Sequence, residues 1–225
     1  MYPSLFPISE SAVSITFGEV LEDAVWQQIE RLRQQLQEAP FEGLLSVVPA
    51  FLTLTVHFDP FLVFQRWPQY STPAMAVMAL LEEYLQPSQK ALPDLPSTTI
   101  EIPIRYGGKH GMDLPEVAHK LNRSEANVIQ LHSARLYKVF MIGFAPGFPY
   151  LGLLPPELAL DRKTNITQRV PAGSVAIATN LTCIYPQQSP AGWHVIGQTE
   201  VQLFDPFAKP PCLLRAGMHV RFVPQ

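Results

Sequence analysis

Three stretches in the second half of the chain carry residue types that bind small molecules. The first runs from Gly143 to Gly152 and presents Phe148 and Tyr150, an apolar wall with one polar tip. Its glycines permit a positive φ or close backbone approach, and its prolines fix φ. We therefore expect a rigid, ordered loop that forms part of a pocket. A structural loop that closes the end of a barrel is the alternative interpretation.

The second stretch places Arg169 just before a Pro-Ala-Gly-Ser turn that leads into a strand. Free N–H groups near Gly173 and Ser174 would form an anion-binding concavity. The Arg169 guanidinium would bind a carboxylate or phosphate in bidentate fashion. A plain strand-entry turn is the alternative. No G-x-x-x-x-G-K-[ST] string occurs in the sequence, so a phosphate loop is not predicted.

The third stretch places Trp193 and His194 at the start of a strand, where neighbouring side chains point to opposite faces. His194 is a candidate general acid or base because the ordinary pKa of histidine lies near neutrality. A histidine with a structural role is the alternative. The remaining histidines and the two cysteines, Cys183 and Cys212, lack metal-ligand spacing, so no metal site is expected.

Composition excludes several classes of protein. The net charge is −3 and the basic residues are scattered, which argues against nucleic-acid binding. The longest apolar run, AMAVMALL, falls far short of the ~20 residues that span a bilayer. The N-terminus lacks the pattern of a signal peptide, and two cysteines fit a reducing compartment. A cytoplasmic globular protein is therefore expected.

The first part of the chain predicts a small α+β sandwich domain over residues 1–90. A strand from Ala12 to Gly18 precedes a helix in which Val25, Ile29, Leu32 and Leu36 recur at helical spacing. Two strands broken at Pro49 follow, and a second helix opens after Pro73. Residues 87–97 contain three prolines and are predicted to be the linker.

The second domain is predicted over residues 91–225. It opens with a strand and two short helices, with Asp113 predicted to cap the first helix and Ser124 the second. After Lys138, short strands alternate with Gly and Pro turns, the last two being EVQLF and HVRFVP. Many short strands with such turns favour a closed barrel or a sandwich.

Several long motifs in this part carry a resemblance. IGFAPGFPYLG, RVPAGSVAIA and IYPQQSPAGWHVIGQT occur in this order, followed by LFDP and GMHVRFVP. They closely resemble the B-subunit family of 5-oxoprolinase, which includes the Kip inhibitor (KipI) of a sporulation histidine kinase. The same family is also called allophanate hydrolase subunit 1. The resemblance covers essentially the whole chain, including SVVPAFLTLTVHFDP in the first part.

The resemblance implies a fold, a reaction and partners. The fold is an α+β N-terminal domain followed by a mainly-β, cyclophilin-like barrel domain. The reaction is ATP-dependent hydrolysis of 5-oxo-L-proline to L-glutamate, carried out together with the A-type and C-type subunits of 5-oxoprolinase. ATP is then bound by the complex, and not by this chain alone. Inhibition of histidine kinase autophosphorylation is the alternative, as is an inactive paralogue that acts as a binding module.

In this interpretation the barrel supplies one wall of a composite site. His194 orients a group or shuttles a proton, and the cationic residues hold a carboxylate or phosphate. The predicted substrate-binding residues are Tyr150, Phe148, Arg162, Arg169, Ser174 and Trp193.

The chain departs from the family pattern at four positions. Leu153, Cys183 and Ala191 stand where the resemblance implies glycine, and Met218 stands where it implies aspartate. If the glycines let a ligand or partner backbone come close, the pocket of this chain is narrower. An altered specificity or a purely scaffolding role would follow.

Overall fold

The structure is a computed structural model that describes residues 3–86 and 98–225. The chain divides into two compact units, Met1–Leu95 and Pro96–Gln225. The predicted linker at 87–97 lies outside the described residues, so its conformation and the domain boundary near residue 90 stay predictions. None of the described helices is both long enough and apolar enough to cross a membrane.

Within residues 3–86, the first unit has one antiparallel sheet and three helices. Its strands pair in the order β1-β2-β4-β3. The elements are β1 (Ser4–Ser9), β2 (Ala12–Thr16), α1 (Asp23–Glu38), β3 (Leu44–Ala50), β4 (Thr53–Phe58), α2 (Pro60–Arg66) and α3 (Pro73–Tyr84).

The sequence predicted β2, α1 and α3 but missed β1 and α2. It was also wrong to break a strand at Pro49, which lies inside β3 and pairs with Leu54. β3 is an edge strand of the sheet, where a residue without an N–H is tolerated. The chain turns instead at Phe51, which adopts a φ of +51°.

The core of the first unit follows the predicted periodicities. Alternate residues of β4, Leu54 and Val56, pack with the buried face of α1, where Ile29 and Leu32 recur at helical spacing. Burial of each such side chain stabilises the fold by about 1.5–3 kcal/mol.

The second unit is built around a closed barrel with strand order β10-β7-β6-β13-β5-β12-β9. A separate two-stranded ribbon pairs β8 with β11. The elements are β5 (Thr99–Tyr106), α4 (Leu114–Lys120), α5 (Glu125–Ser133), β6 (Leu136–Ile142), β7 (Pro149–Gly152), β8 (Thr167–Val170), β9 (Ser174–Ala178), β10 (Leu181–Ile184), β11 (Ser189–Ala191), β12 (His194–Gln198) and β13 (His219–Pro224).

The mixed α/β architecture with a closed barrel is confirmed, and the cyclophilin-like label stays a prediction. The predicted strand EVQLF is wrong, because Phe204 makes only an isolated bridge with Cys212. Ser124 caps α5 as predicted, since its hydroxyl accepts from the Asn127 N–H at 3.2 Å. Asp113 occupies the corresponding position of α4, but its side chain makes no capping hydrogen bond.

Candidate functional site

The aromatic loop that follows β6 is ordered by its own backbone. The Gly143 N–H donates to the Phe148 carbonyl at 3.1 Å, and the Phe148 N–H donates to the Ala145 carbonyl at 3.0 Å. Gly147 adopts a φ of +76°, and a Cβ there would lie 2.8 Å from the Cβ of Phe204. Only glycine therefore fits this turn without strain. The turn buries Phe148 and leaves Phe144 71% exposed.

Five rings form a continuous chain of contacts, which we call the aromatic cluster. Phe148 lies at its centre, with ring centroids 5.0 Å from Tyr150, 5.1 Å from Tyr185 and 5.2 Å from Phe144. Tyr150 in turn contacts the edge of Trp193, with the centroids 6.0 Å apart. These separations are those of favourable edge-to-face and tilted aromatic pairs.

Arg162 adds a positive charge to one end of the aromatic cluster. Its guanidinium carbon lies 5.7 Å from the centroid of the Trp193 ring, within the range of a cation–π interaction. Arg162, Phe144 and the half-exposed Tyr150 reach solvent, whereas Phe148 and Trp193 are buried. The buried rings therefore support an exposed surface made of two rings and a cation.

The aromatic cluster lies on the outer face of the barrel. Tyr150 of β7 pairs with Cys183 of β10, so their side chains share one face of the sheet. The next residue, Leu151, packs in the barrel core. Because successive side chains of a strand alternate between faces, Tyr150 and Cys183 point outward.

The environment of the cluster keeps its titratable groups neutral. Burial raises the pKa of the Tyr150 hydroxyl, and the nearby Cys183 raises it further. Burial also raises the pKa of Tyr185 and of the Cys183 thiol. Cys183 is thus an inert packing residue. The arrangement suits a ligand with a flat apolar part and one negative charge.

His194 lies outside this surface. Its side chain is fully buried, and its Nε2 lies 3.0 Å from the Asp161 carbonyl oxygen, to which it donates. Nδ1 then has no proton, and among the described residues it has no hydrogen-bond partner. Burial lowers the pKa of His194, so the imidazole is neutral at pH 7. The observed contact orients the segment next to Arg162, and the predicted proton transfer stays a prediction.

Ser174 adjoins the aromatic cluster through its backbone, since its carbonyl accepts a hydrogen bond from the Tyr185 N–H at 2.8 Å. Arg169 is exposed on β8. Ser174 is 1% exposed and its hydroxyl donates to the Pro171 carbonyl at 2.8 Å. The expectation of free N–H groups at this turn is wrong, because the Gly173 N–H donates to the Tyr185 carbonyl at 2.7 Å and the Ser174 N–H to that of Pro171 at 3.3 Å.

The second unit also contains a polar cavity of about 240 Å³, which the sequence did not predict. Arg105 pairs with Glu200 at 2.9 Å, and His110 Nδ1 lies 2.9 Å from Gln198 Oε1. None of the predicted substrate-binding residues lines it. The lining residues are Pro103, Arg105, His110, Gln198, Thr199, Glu200 and Gln225. Within residues 3–86 and 98–225, no group of three or more His, Cys, Asp or Glu side chains is placed to hold a metal ion.

Comparison with known proteins places this geometry in a class. Residues 3–214 match the family described as carboxyltransferase domain, subdomain C and D. The solved structure of the protein TTHA0988 superimposes with a TM-score of 0.79 at 37% identity, covering 95% of this chain. This chain spans about 40% of the length of that protein.

Two curated relatives match over nearly their whole length. The B subunit of 5-oxoprolinase from Bacillus subtilis strain 168 is 40% identical over 217 residues, which cover 96% of this chain and 90% of the relative. Its counterpart from Escherichia coli O157:H7 is 39% identical over 218 residues, covering 97% and 94%. The chain therefore belongs to the B-subunit family of 5-oxoprolinase, as its motifs predicted.

Proposed function

We propose that this chain is the B subunit of an ATP-dependent 5-oxoprolinase complex, which hydrolyses 5-oxo-L-proline to L-glutamate together with A-type and C-type partner proteins. The chain does not act alone in this proposal, and its barrel is the cyclophilin-like domain of a two-domain, cytoplasmic protein. The names of its relatives support the reaction, and the position of Arg162 over the aromatic cluster carries the assignment of a site.

The chemistry of 5-oxo-L-proline matches the exposed part of the cluster. The substrate is a flat five-membered lactam that bears one carboxylate. Its ring packs against Tyr150, and its carboxylate accepts hydrogen bonds from the Arg162 guanidinium, whose planar fork suits bidentate binding. Trp193 and Phe148 fix these two groups from behind. The barrel thereby supplies one wall of a composite site that a partner protein completes.

Opening the lactam needs donors around a developing negative charge at the amide oxygen. Arg162 is the cation that lies over Trp193 of the aromatic cluster, and Arg169 is an exposed second candidate on β8. The sequence has no phosphate loop. We therefore assign ATP binding to the assembled complex.

The test is reconstitution of the complex with the purified A-type and C-type partners, followed by measurement of ATP-dependent glutamate release. Arg162→Met is expected to raise KM for 5-oxo-L-proline by about tenfold or more, because a hydrogen bond to a charged group contributes about 1.5–3 kcal/mol. Arg123→Met removes another exposed arginine, from the surface near α5, and is the matched control.

Three results would each reject part of the proposal. Wild-type KM and turnover in Arg162→Met would remove the cluster from the substrate site. Unchanged turnover and affinity in Arg169→Ala would remove Arg169 from the predicted binding residues. Failure of the wild-type complex to release glutamate would reject the reaction itself.

Docking on a histidine kinase is the second candidate function. The observation that favours it is the exposed ring of Phe144, since an aromatic side chain at the tip of a rigid loop is typical of a binding hot spot. Inhibition of kinase autophosphorylation by this chain alone, without the A-type and C-type partners, would favour this candidate over the enzyme.

A further inference from the structure

The segment that carries Arg162 has no regular secondary structure, yet it is held at three points. The Lys163 N–H donates to the Gly192 carbonyl at 2.9 Å. His194 Nε2 donates to the Asp161 carbonyl at 3.0 Å. The Lys163 ammonium donates to Asp113 Oδ1 at 2.6 Å. Segment 161–163 thus runs beside residues 192–194, which brings Arg162 over Trp193.

Asp113 holds segment 161–163 although it lies 50 residues before Lys163 in the sequence. Its Oδ2 accepts from the Val195 N–H at 2.7 Å, and its own N–H donates to the Val195 carbonyl at 2.9 Å. One carboxylate oxygen therefore binds the barrel strand β12, and the other binds Lys163. The side chain of Asp113 is not used to cap α4, which was its predicted role.

The ion pair between Asp113 and Lys163 is largely excluded from water. The side chain of Asp113 is 8% exposed and that of Lys163 is 14% exposed. Lys163 Nζ also donates to Thr167 Oγ1 at 3.1 Å. Removing one partner of a buried pair leaves the other charge uncompensated, which is strongly destabilising. Segment 161–163 is therefore expected to depend on both charges.

A carboxylate is the group that fits between these two donors. Lys163 and the Val195 N–H both donate, so each oxygen must accept. Asparagine in place of Asp113 has one acceptor oxygen and one donor NH₂ group. In either orientation the amide NH₂ group faces one of the two donors, the Lys163 ammonium or the Val195 N–H, so one of these two hydrogen bonds is lost.

We propose that Asp113 is a positioning residue, which acts through Lys163 to hold the Arg162 guanidinium over Trp193. The expected effect of Asp113 on the reaction rests on the proposed function, in which Arg162 binds the substrate carboxylate. The hydrogen bonds of the Asp113 carboxylate go to Lys163 and to the Val195 N–H, so Asp113 is not assigned a contact with the substrate. Its effect on the reaction is therefore an effect on the placement of Arg162.

The first test reads the position of Arg162 without any activity. Trp193 becomes the sole tryptophan when Trp26 and Trp67 are replaced by phenylalanine. Its fluorescence emission and its quenching by acrylamide then depend on whether the Arg162 guanidinium covers the ring. We expect Asp113→Asn to shift both signals as much as Arg162→Met does. The double variant should show no further shift, because both changes remove the same contact.

The second test uses the reconstituted complex. Asp113→Asn is expected to raise KM for 5-oxo-L-proline about tenfold, as expected for loss of a charged hydrogen bond, and to add nothing to Arg162→Met. Glu200→Gln is the matched control, since it also removes one carboxylate from an ion pair, here the exposed pair with Arg105. It should retain the wild-type fluorescence and KM.

The outcomes separate the two proposals. An unchanged Trp193 signal, or additive effects with Arg162→Met, would overturn the positioning role. The expected Trp193 shift in a chain whose wild-type complex releases no glutamate would keep the role and reject the proposed function. If Asp113→Asn does not fold, the double variant with Lys163→Met removes both buried charges. Recovery of the fold together with a shifted Trp193 signal supports the role, and recovery with a wild-type signal overturns it.

Discussion

His132 links the stability of the barrel to pH. It is fully buried on α5, and its ring stacks on Phe222 with centroids 4.7 Å apart. Nε2 lies 3.0 Å from the Thr182 hydroxyl oxygen, and Nδ1 lies 2.7 Å from the Tyr106 hydroxyl. The Thr182 hydroxyl donates to the Ala176 carbonyl, so it accepts from Nε2–H and Tyr106 donates to Nδ1. The neutral ring is thus fully hydrogen-bonded.

Burial lowers the pKa of His132 from its ordinary value of 6.5 to about 3. Between pH 6.5 and pH 3, His132 is protonated in the unfolded chain but neutral in the folded chain. The stabilisation by the neutral, buried His132 is therefore complete above pH 6.5 and is lost as the pH falls toward 3. A pH of 5 lies about 1.5 units below the ordinary pKa of 6.5, which applies to His132 in the unfolded chain. Each unit corresponds to about 1.4 kcal/mol, so about 2 kcal/mol is lost between pH 8 and pH 5.

The assay is urea unfolding of the chain that has Trp193 as its sole tryptophan, between pH 8 and pH 5. His132→Gln removes the titration, so its free energy of unfolding should fall by about 2 kcal/mol less than that of the wild type over this range. His119→Gln changes an exposed histidine on α4 and should follow the wild type. Equal losses in the wild type and His132→Gln would refute the reasoning.

Two further predictions concern the turn before β9 and the tip of the aromatic loop. Gly173→Ala should lower the free energy of unfolding by about 2 kcal/mol or more in urea, because φ is +79° and the new Cβ would lie 1.9 Å from the Thr199 carbonyl oxygen. Gly192→Ala, with nothing within 4 Å, is its control, and equal losses would contradict the argument. Phe144→Ser should leave stability within about 0.5 kcal/mol. It should weaken binding of the C-type partner at least about tenfold by calorimetry, and unchanged affinity would contradict a docking role.

Local signals predicted a barrel or a sandwich and the rigid aromatic loop, because such signals act within a few residues, whereas the choice of a barrel came from the family resemblance. Glycine and proline mark turns by their own φ preferences, so the rigid loop at Gly147 follows from sequence alone. The contact of Tyr150 with Trp193 depends on strand register around a closed barrel, which signals within a few residues do not reveal.

Long-range pairings could not be predicted in the same way. Asp113 stands before a proline at a helix start, where a capping role is sufficient to explain an aspartate. Its actual partner, Lys163, lies 50 residues away, and nothing in the pattern near Lys163 indicates burial. The N–H groups at Gly173 and Ser174 were likewise expected to be free, because the carbonyl of Tyr185 that binds one of them belongs to another strand end.

The four departures from the family pattern have different consequences in this fold. Cys183, Ala191 and Met218 are each at most 8% exposed, so they fill packed space and do not project into an open pocket. Cys183 lies across from Tyr150, where a thiol supports the outer rings and a glycine would leave them less well packed. Leu153 alone among the four is 36% exposed, at the end of β7. A narrower approach for a ligand or partner is therefore expected at Leu153, which is not a member of the aromatic cluster.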